Sequence, residues 1–105
     1  MSMYPWRAGE AITAEKLTAG MQYGLVSITP TTAVSTYHRG EAHIVFDVPF
    51  LEIPTIQVTA RTAVPGVLLE ASYTDVTLTG VTIMIARETQ TNTNVDWLAI
   101  GRPAL

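Results

Sequence analysis

The sequence predicts an all-β domain, a six-stranded antiparallel β-sandwich preceded by an N-terminal arm and a short helix. Apolar and polar residues alternate through Thr55-Ile56-Gln57-Val58-Thr59-Ala60, Val81-Thr82-Ile83-Met84-Ile85 and Val95-Asp96-Trp97-Leu98-Ala99-Ile100. Side chains on a strand point to opposite faces with period two, so this alternation describes sheets with one buried face. Turn signals separate the runs at Pro49 to Pro54, Val64-Pro65-Gly66, Asp75 to Gly80 and Glu88 to Asn94. The length of 105 residues suits one core.

Residues 1–40 read as an anchoring arm, short helix and linker, and residues 41–105 as the sandwich. Thr13 is the expected N-cap of the helix, with Ile12 before it and Leu17 at the fourth helical position forming a hydrophobic staple. Glu15 complements the helix dipole and Gly20 ends the helix. Two turns do not persist alone in water, so Ile12, Leu17 and Met21 need a partner surface. The stretch Tyr23 to Ile28 is a possible strand, and Pro30 disfavours a central strand in the connection after it. The whole zone from Gln22 to Gly40 is therefore expected as linker or edge.

Within the sandwich, Ile56, Val58 and Ala60 are expected to face inward, with Thr55, Gln57, Thr59 and Arg61 outward. Val81, Ile83 and Ile85 form one face of the next strand. Val95, Trp97 and Ala99 form one face of the last strand, opposed by Leu98 and Ile100. A strand apolar on both faces belongs in the middle of a sheet or at a subunit contact.

Composition narrows the function classes. Charged residues are only 14% of the chain, against about 25% in a typical soluble domain, which points to surface covered by other subunits. Net charge is −3 and Lys16 is the single lysine, so no phosphate-tracking nucleic-acid surface is expected. With no cysteine, a disulfide framework, a zinc–thiolate site and a cysteine nucleophile are excluded. No secretory leader and no membrane span are read, and synthesis without targeting is expected.

His38 and His43 would need Glu41 or Asp47 to complete a metal site. Four residues along a strand separate His43 from Asp47 by about 13 Å, too far for one ion. Asn92-Thr93-Asn94-Val95-Asp96 opens like a calcium loop but places Trp97 and Pro103 at the glycine and glutamate positions. Ser27, Ser35 and Ser72 lack a nucleophile setting, and Glu41, Asp47, Glu52, Glu70 and Asp75 are scattered. No enzyme, metal or cofactor is expected. Gln90, Asn92 and Asn94 read as a polar hairpin whose amides suit sugar hydroxyls or a trimer axis. Tyr4, Trp6 and Arg7 form an aromatic arm of the composition that concentrates binding energy at interfaces.

Two resemblances follow from these residues. Ile44-Val45-Phe46, Ile53-Pro54-Thr55-Ile56-Gln57-Val58, Val76 to Ile83 and the closing Trp97-Leu98-Ala99-Ile100 resemble the H-type lectin pattern over roughly the last sixty residues. That resemblance implies a six-stranded antiparallel sandwich that commonly trimerises. Ser72 stands where those lectins carry a sugar-contacting arginine. The stretch Trp6 to Leu17 resembles the anchoring starts of bacteriophage virion proteins, such as minor tail and head-fibre proteins. Together they imply a non-enzymatic virion protein, a homotrimer assembled in the host bacterial cytoplasm. It would be anchored to capsid or tail through Tyr4, Trp6, Arg7, Ile12, Leu17 and Met21. The alternative expectation is a receptor-recognition lectin module binding a host surface glycan through Arg87, Gln90, Asn92 and Asn94.

Overall fold

A computed structural model describes residues 20–63 and 66–104. These residues form two antiparallel sheets packed face to face, with no helix among them. The strands are β1 (Met21–Ile28), β2 (Thr32–Val34), β3 (Tyr37–Val45), β4 (Thr55–Ala60), β5 (Leu69–Thr74), β6 (Gly80–Arg87) and β7 (Thr93–Ile100). One sheet has the order β1-β7-β4 and the other β2-β3-β6-β5. The arm and helix expected before Gly20 lie outside the described residues.

Among the described residues seven strands stand where six were expected, and their placement differs. Only β4 to β7 and part of β3 fall within 41–100; β1, β2 and the start of β3 come from the stretch expected as linker or edge. β1 is an edge, but a full one, paired with β7 from Met21↔Ile100 to Ile28↔Thr93. β3 runs unbroken through Gly40-Glu41, with alternate half-burial of His38, Gly40, Ala42 and Ile44. Its His, Arg, Gly and Glu content hides the strand, because strand preference reflects fit to a half-buried pleat more than residue type. A turn with Ser35 at φ 53° joins β2 to β3.

The core lies between the sheets. Val81, Ile83 and Ile85 from β6 meet Ile56 from β4 and Val95 and Ala99 from β7, with Ile28, Phe46 and Phe50 completing it. Complete burial of each large aliphatic side chain contributes about 1.5–3 kcal/mol. The inward set expected for β4, β6 and β7 matches this arrangement, and β7 is the central strand of its sheet.

The two ends of the sandwich are closed differently. At one end Phe50 bridges to Pro103, and its N–H donates to the Leu78 carbonyl at 2.8 Å, tying both sheets together. The Phe46 and Phe50 rings meet edge to face with centroids 5.1 Å apart. The Gln22 side chain clamps the same segment: its amide donates to the Val48 carbonyl at 2.7 Å and its oxygen accepts the Val48 N–H at 3.3 Å. At the opposite end the Arg87 guanidinium donates to the hydroxyl of buried Thr93 at 2.7 Å, and that hydroxyl donates to the Thr91 carbonyl at 3.0 Å.

Candidate functional site

The register of the three-stranded sheet determines what its outer face carries. Met21, Ile100 and Thr55 form one row, Tyr23, Leu98 and Gln57 the next, and Leu25, Asp96 and Thr59 the third. Tyr23 is 80% exposed, Leu25 51% and Met21 38%, while Leu98 and Ile100 are half-buried. The β1 half of the face is thus an apolar stripe, and the β4 half is polar. An exposed leucine alone needs no explanation, but a contiguous stripe does.

Asp96 is the charge placed within this face, and it is neutralised. Arg61 holds it with two hydrogen bonds, Nε to Oδ2 at 2.7 Å and Nη2 to Oδ1 at 2.8 Å. That hydrogen bonding, with the Arg61 charge, holds the Asp96 carboxyl below its ordinary value and raises the Arg61 guanidinium. A planar guanidinium matched to both carboxylate oxygens makes this pair directional as well as electrostatic.

The residues expected to bind sugar are dispersed around the polar end. Arg87 is committed to Thr93. Asn92 Oδ1 accepts the Thr29 hydroxyl at 3.0 Å and Asn94 Oδ1 accepts the Ser27 hydroxyl. Gln90 is exposed in the loop between β6 and β7, beside the Thr89–Thr91 hydroxyl pair at 2.8 Å. Of the expected anchoring set, Met21 opens β1 on the outer face; Tyr4, Trp6, Arg7, Ile12 and Leu17 lie outside the described residues.

His38 and His43 fall on opposite faces of β3, so strand geometry separates them. His38 Nδ1 lies 3.2 Å from the Glu88 carbonyl oxygen, and His43 Nδ1 lies 3.2 Å from the Thr82 hydroxyl. Among the described residues, no three acidic, histidine or cysteine side chains stand close enough to hold one metal ion.

The outer face of the four-stranded sheet differs in character. Its cross-strand rows are Arg39–Ala86–Glu70, Glu41–Met84–Ser72 and His43–Thr82–Thr74. The small Ala86 between two long charged side chains leaves an open groove of about 690 Å³, with Tyr37 and Leu68 at its margin. This face is charged and solvated where the other is apolar.

No protein-family model, curated protein or solved structure matches this chain. The surface chemistry therefore carries the functional argument. The exposed groups of the three-stranded face are a phenol, aliphatic chains, amides and a closed ion pair. Met21, Leu98 and Ile100 are among the residues expected to carry apolar surface, whereas Tyr23 and Leu25 are not. Their signal was present as period-two spacing with Met21; the unknown was which way the alternation pointed.

Proposed function

We propose that this chain is a non-enzymatic structural protein of a bacteriophage particle, a homotrimer anchored by its N-terminal arm and projecting a lectin-like sandwich from capsid or tail. The observation that carries the reading is the polarity of the sandwich along its length. The end that Gly20 enters, where its carbonyl accepts the Gly101 N–H at 3.0 Å, is rimmed by exposed Val45, Leu51, Ile53 and Leu78. The far end presents Ser27, Thr29, Thr89, Thr91, Asn92 and Asn94. An apolar end at Gly20 and a hydroxyl- and amide-rich end away from it suit a part mounted on a particle. Immunogold labelling of purified particles tests this. Label at one fixed position on the particle is expected; unlabelled particles with the chain left in the lysate would contradict it.

The second reading, a glycan-binding module of H-type lectin character, is favoured by one feature. Asn92 and Asn94 both use their carbonyl oxygens on neighbouring hydroxyls, which leaves their amide donors for a hydroxylated ligand. A glycan array probed with the assembled protein is expected to show binding that Asn92→Ala weakens. An array without signal removes this version.

A further inference from the structure

We infer that copies of this chain meet through the outer face of the three-stranded sheet, with Tyr23 at the centre of the contact. The inference rests on the oligomeric reading above and assigns it a surface. Tyr23, Leu25 and Met21 together leave on the order of 400 Å² in water, the size of the largest apolar patch on a typical monomer, which is often functional. A stable contact takes about 800 Å² from each partner, and the adjoining rows of β7 and β4 extend the face toward that scale.

Charge argues for a second copy as the occupant. The face's carboxylate, Asp96, is closed by Arg61, so the surface is neutral, apolar along β1 and polar along β4. Copies of such a face do not repel one another, and bringing three of them together around an axis buries no unpaired charge. The opposite sheet, with Arg39, Glu41, His43 and Glu70 outward, has the charge density of a surface kept in water.

The edge of β1 borders the same face. Gly20 and Gly101 are hydrogen-bonded, so the even-numbered residues of β1 turn their backbone groups to β7 and the odd-numbered ones turn theirs to the open edge. β1 is eight residues long and contains no proline and no charged residue. Among the described residues no strand pairs with this edge, and such edges are pairing sites unless something covers them.

The full chain has no cysteine, which makes single-cysteine labelling clean. Leu25→Cys on the proposed contact and Glu41→Cys on the opposite sheet are reacted with a maleimide while light scattering reports mass. Leu25→Cys is expected to react at least tenfold more slowly than Glu41→Cys in the oligomer. Tyr23→Glu is expected to lower the mass to the 11.4 kDa protomer, with the near-ultraviolet signal of Trp97 retained. Equal labelling rates in an oligomer overturn this face and leave the oligomeric reading standing. A wild-type chain that stays monomeric overturns both. Protection of Leu25→Cys in a monomer assigns the face to residues of the same chain and also overturns the inference.

Discussion

Gly24 and Trp97 stand opposite each other in the β1–β7 ladder, and the indole fills the space a side chain at position 24 would occupy. A Cβ added at Gly24 would lie 2.8 Å from Trp97 Nε1 and 3.0 Å from two ring carbons. The pairing settles which face of β1 looks inward. With Gly24 under the indole, Tyr23 and Leu25 are turned to the outside.

Gly24→Ala is expected to destabilise the protein by about 1–3 kcal/mol, the usual cost of overpacking, because the ring must shift and Phe46 lies against it with centroids 6.1 Å apart. Urea unfolding measures the loss. Combining Gly24→Ala with Trp97→Phe should cost less than the sum of the two changes, since the smaller ring frees the space. Strict additivity would show that the contact is not the cause.

Gly80 should tolerate alanine less well than Gly24. Its added Cβ would fall on the Ile44 carbonyl oxygen, which is backbone inside the β3–β6 ladder and cannot swing aside as a ring can. Gly80→Ala is expected at or beyond the upper end of the same range of about 1–3 kcal/mol. Gly66 is the useful contrast: nothing lies within 4 Å of its Cβ position, but its φ is +90°. Gly66→Ala should cost only the left-handed backbone penalty of roughly 1–2 kcal/mol. Thermal melts of the two variants distinguish steric from conformational cost.

Thr93 is buried, and its hydroxyl both receives Arg87 and donates to Thr91. Thr93→Val keeps the shape and removes both bonds, one of them from a charged group, with an expected loss of about 2–4 kcal/mol. Hydrogen exchange should rise through residues 88–92, which the hydroxyl anchors. Unchanged exchange there would show that the loop is held by other contacts.

Acid should act on the Arg61–Asp96 pair with a defined sign. The hydrogen bond from Arg61 lowers the Asp96 pKa in the folded chain below its unfolded value of about 3.9. The carboxylate therefore stabilises the fold above the unfolded pKa, and that contribution is lost as pH falls through the lower folded value. Carboxyl NMR is expected to place the Asp96 midpoint below that of an ordinary aspartate. Arg61→Ala should return the midpoint toward the ordinary value. Both side chains are exposed, so the effect on overall stability should be small and should shrink with salt.

The alternation in residues 55–60, 81–85 and 95–100 determined three strands and their inward residues; of the expected Val64-Pro65-Gly66 turn, Val64 and Pro65 lie outside the described residues. These segments commit by local rule: apolar side chains two apart can share a face only if the chain is extended. The same rule could not settle Met21 to Val45. β1 alternates apolar outward residues with Gln, Gly, Val and Ile inward, so its pattern reads equally well with either face buried. The tertiary structure decided it, because Trp97 takes the place above Gly24 and Gln22 reaches the Val48 backbone. β3 was hidden by its composition and became a strand through its ladder with β6.

The expected sugar residues illustrate the same limit. Arg87, Gln90, Asn92 and Asn94 are close in sequence, yet the hairpin sends Arg87 inward to Thr93 and the two asparagines toward β1 and the loop that follows it. The sequence by itself determined a sandwich, its core strands and an unusually uncharged surface. Only the tertiary structure decided where the uncovered apolar surface lies. Local periodicity determines that a strand has two faces, but the choice of buried face depends on what the opposite sheet and the neighbouring strands bring against it.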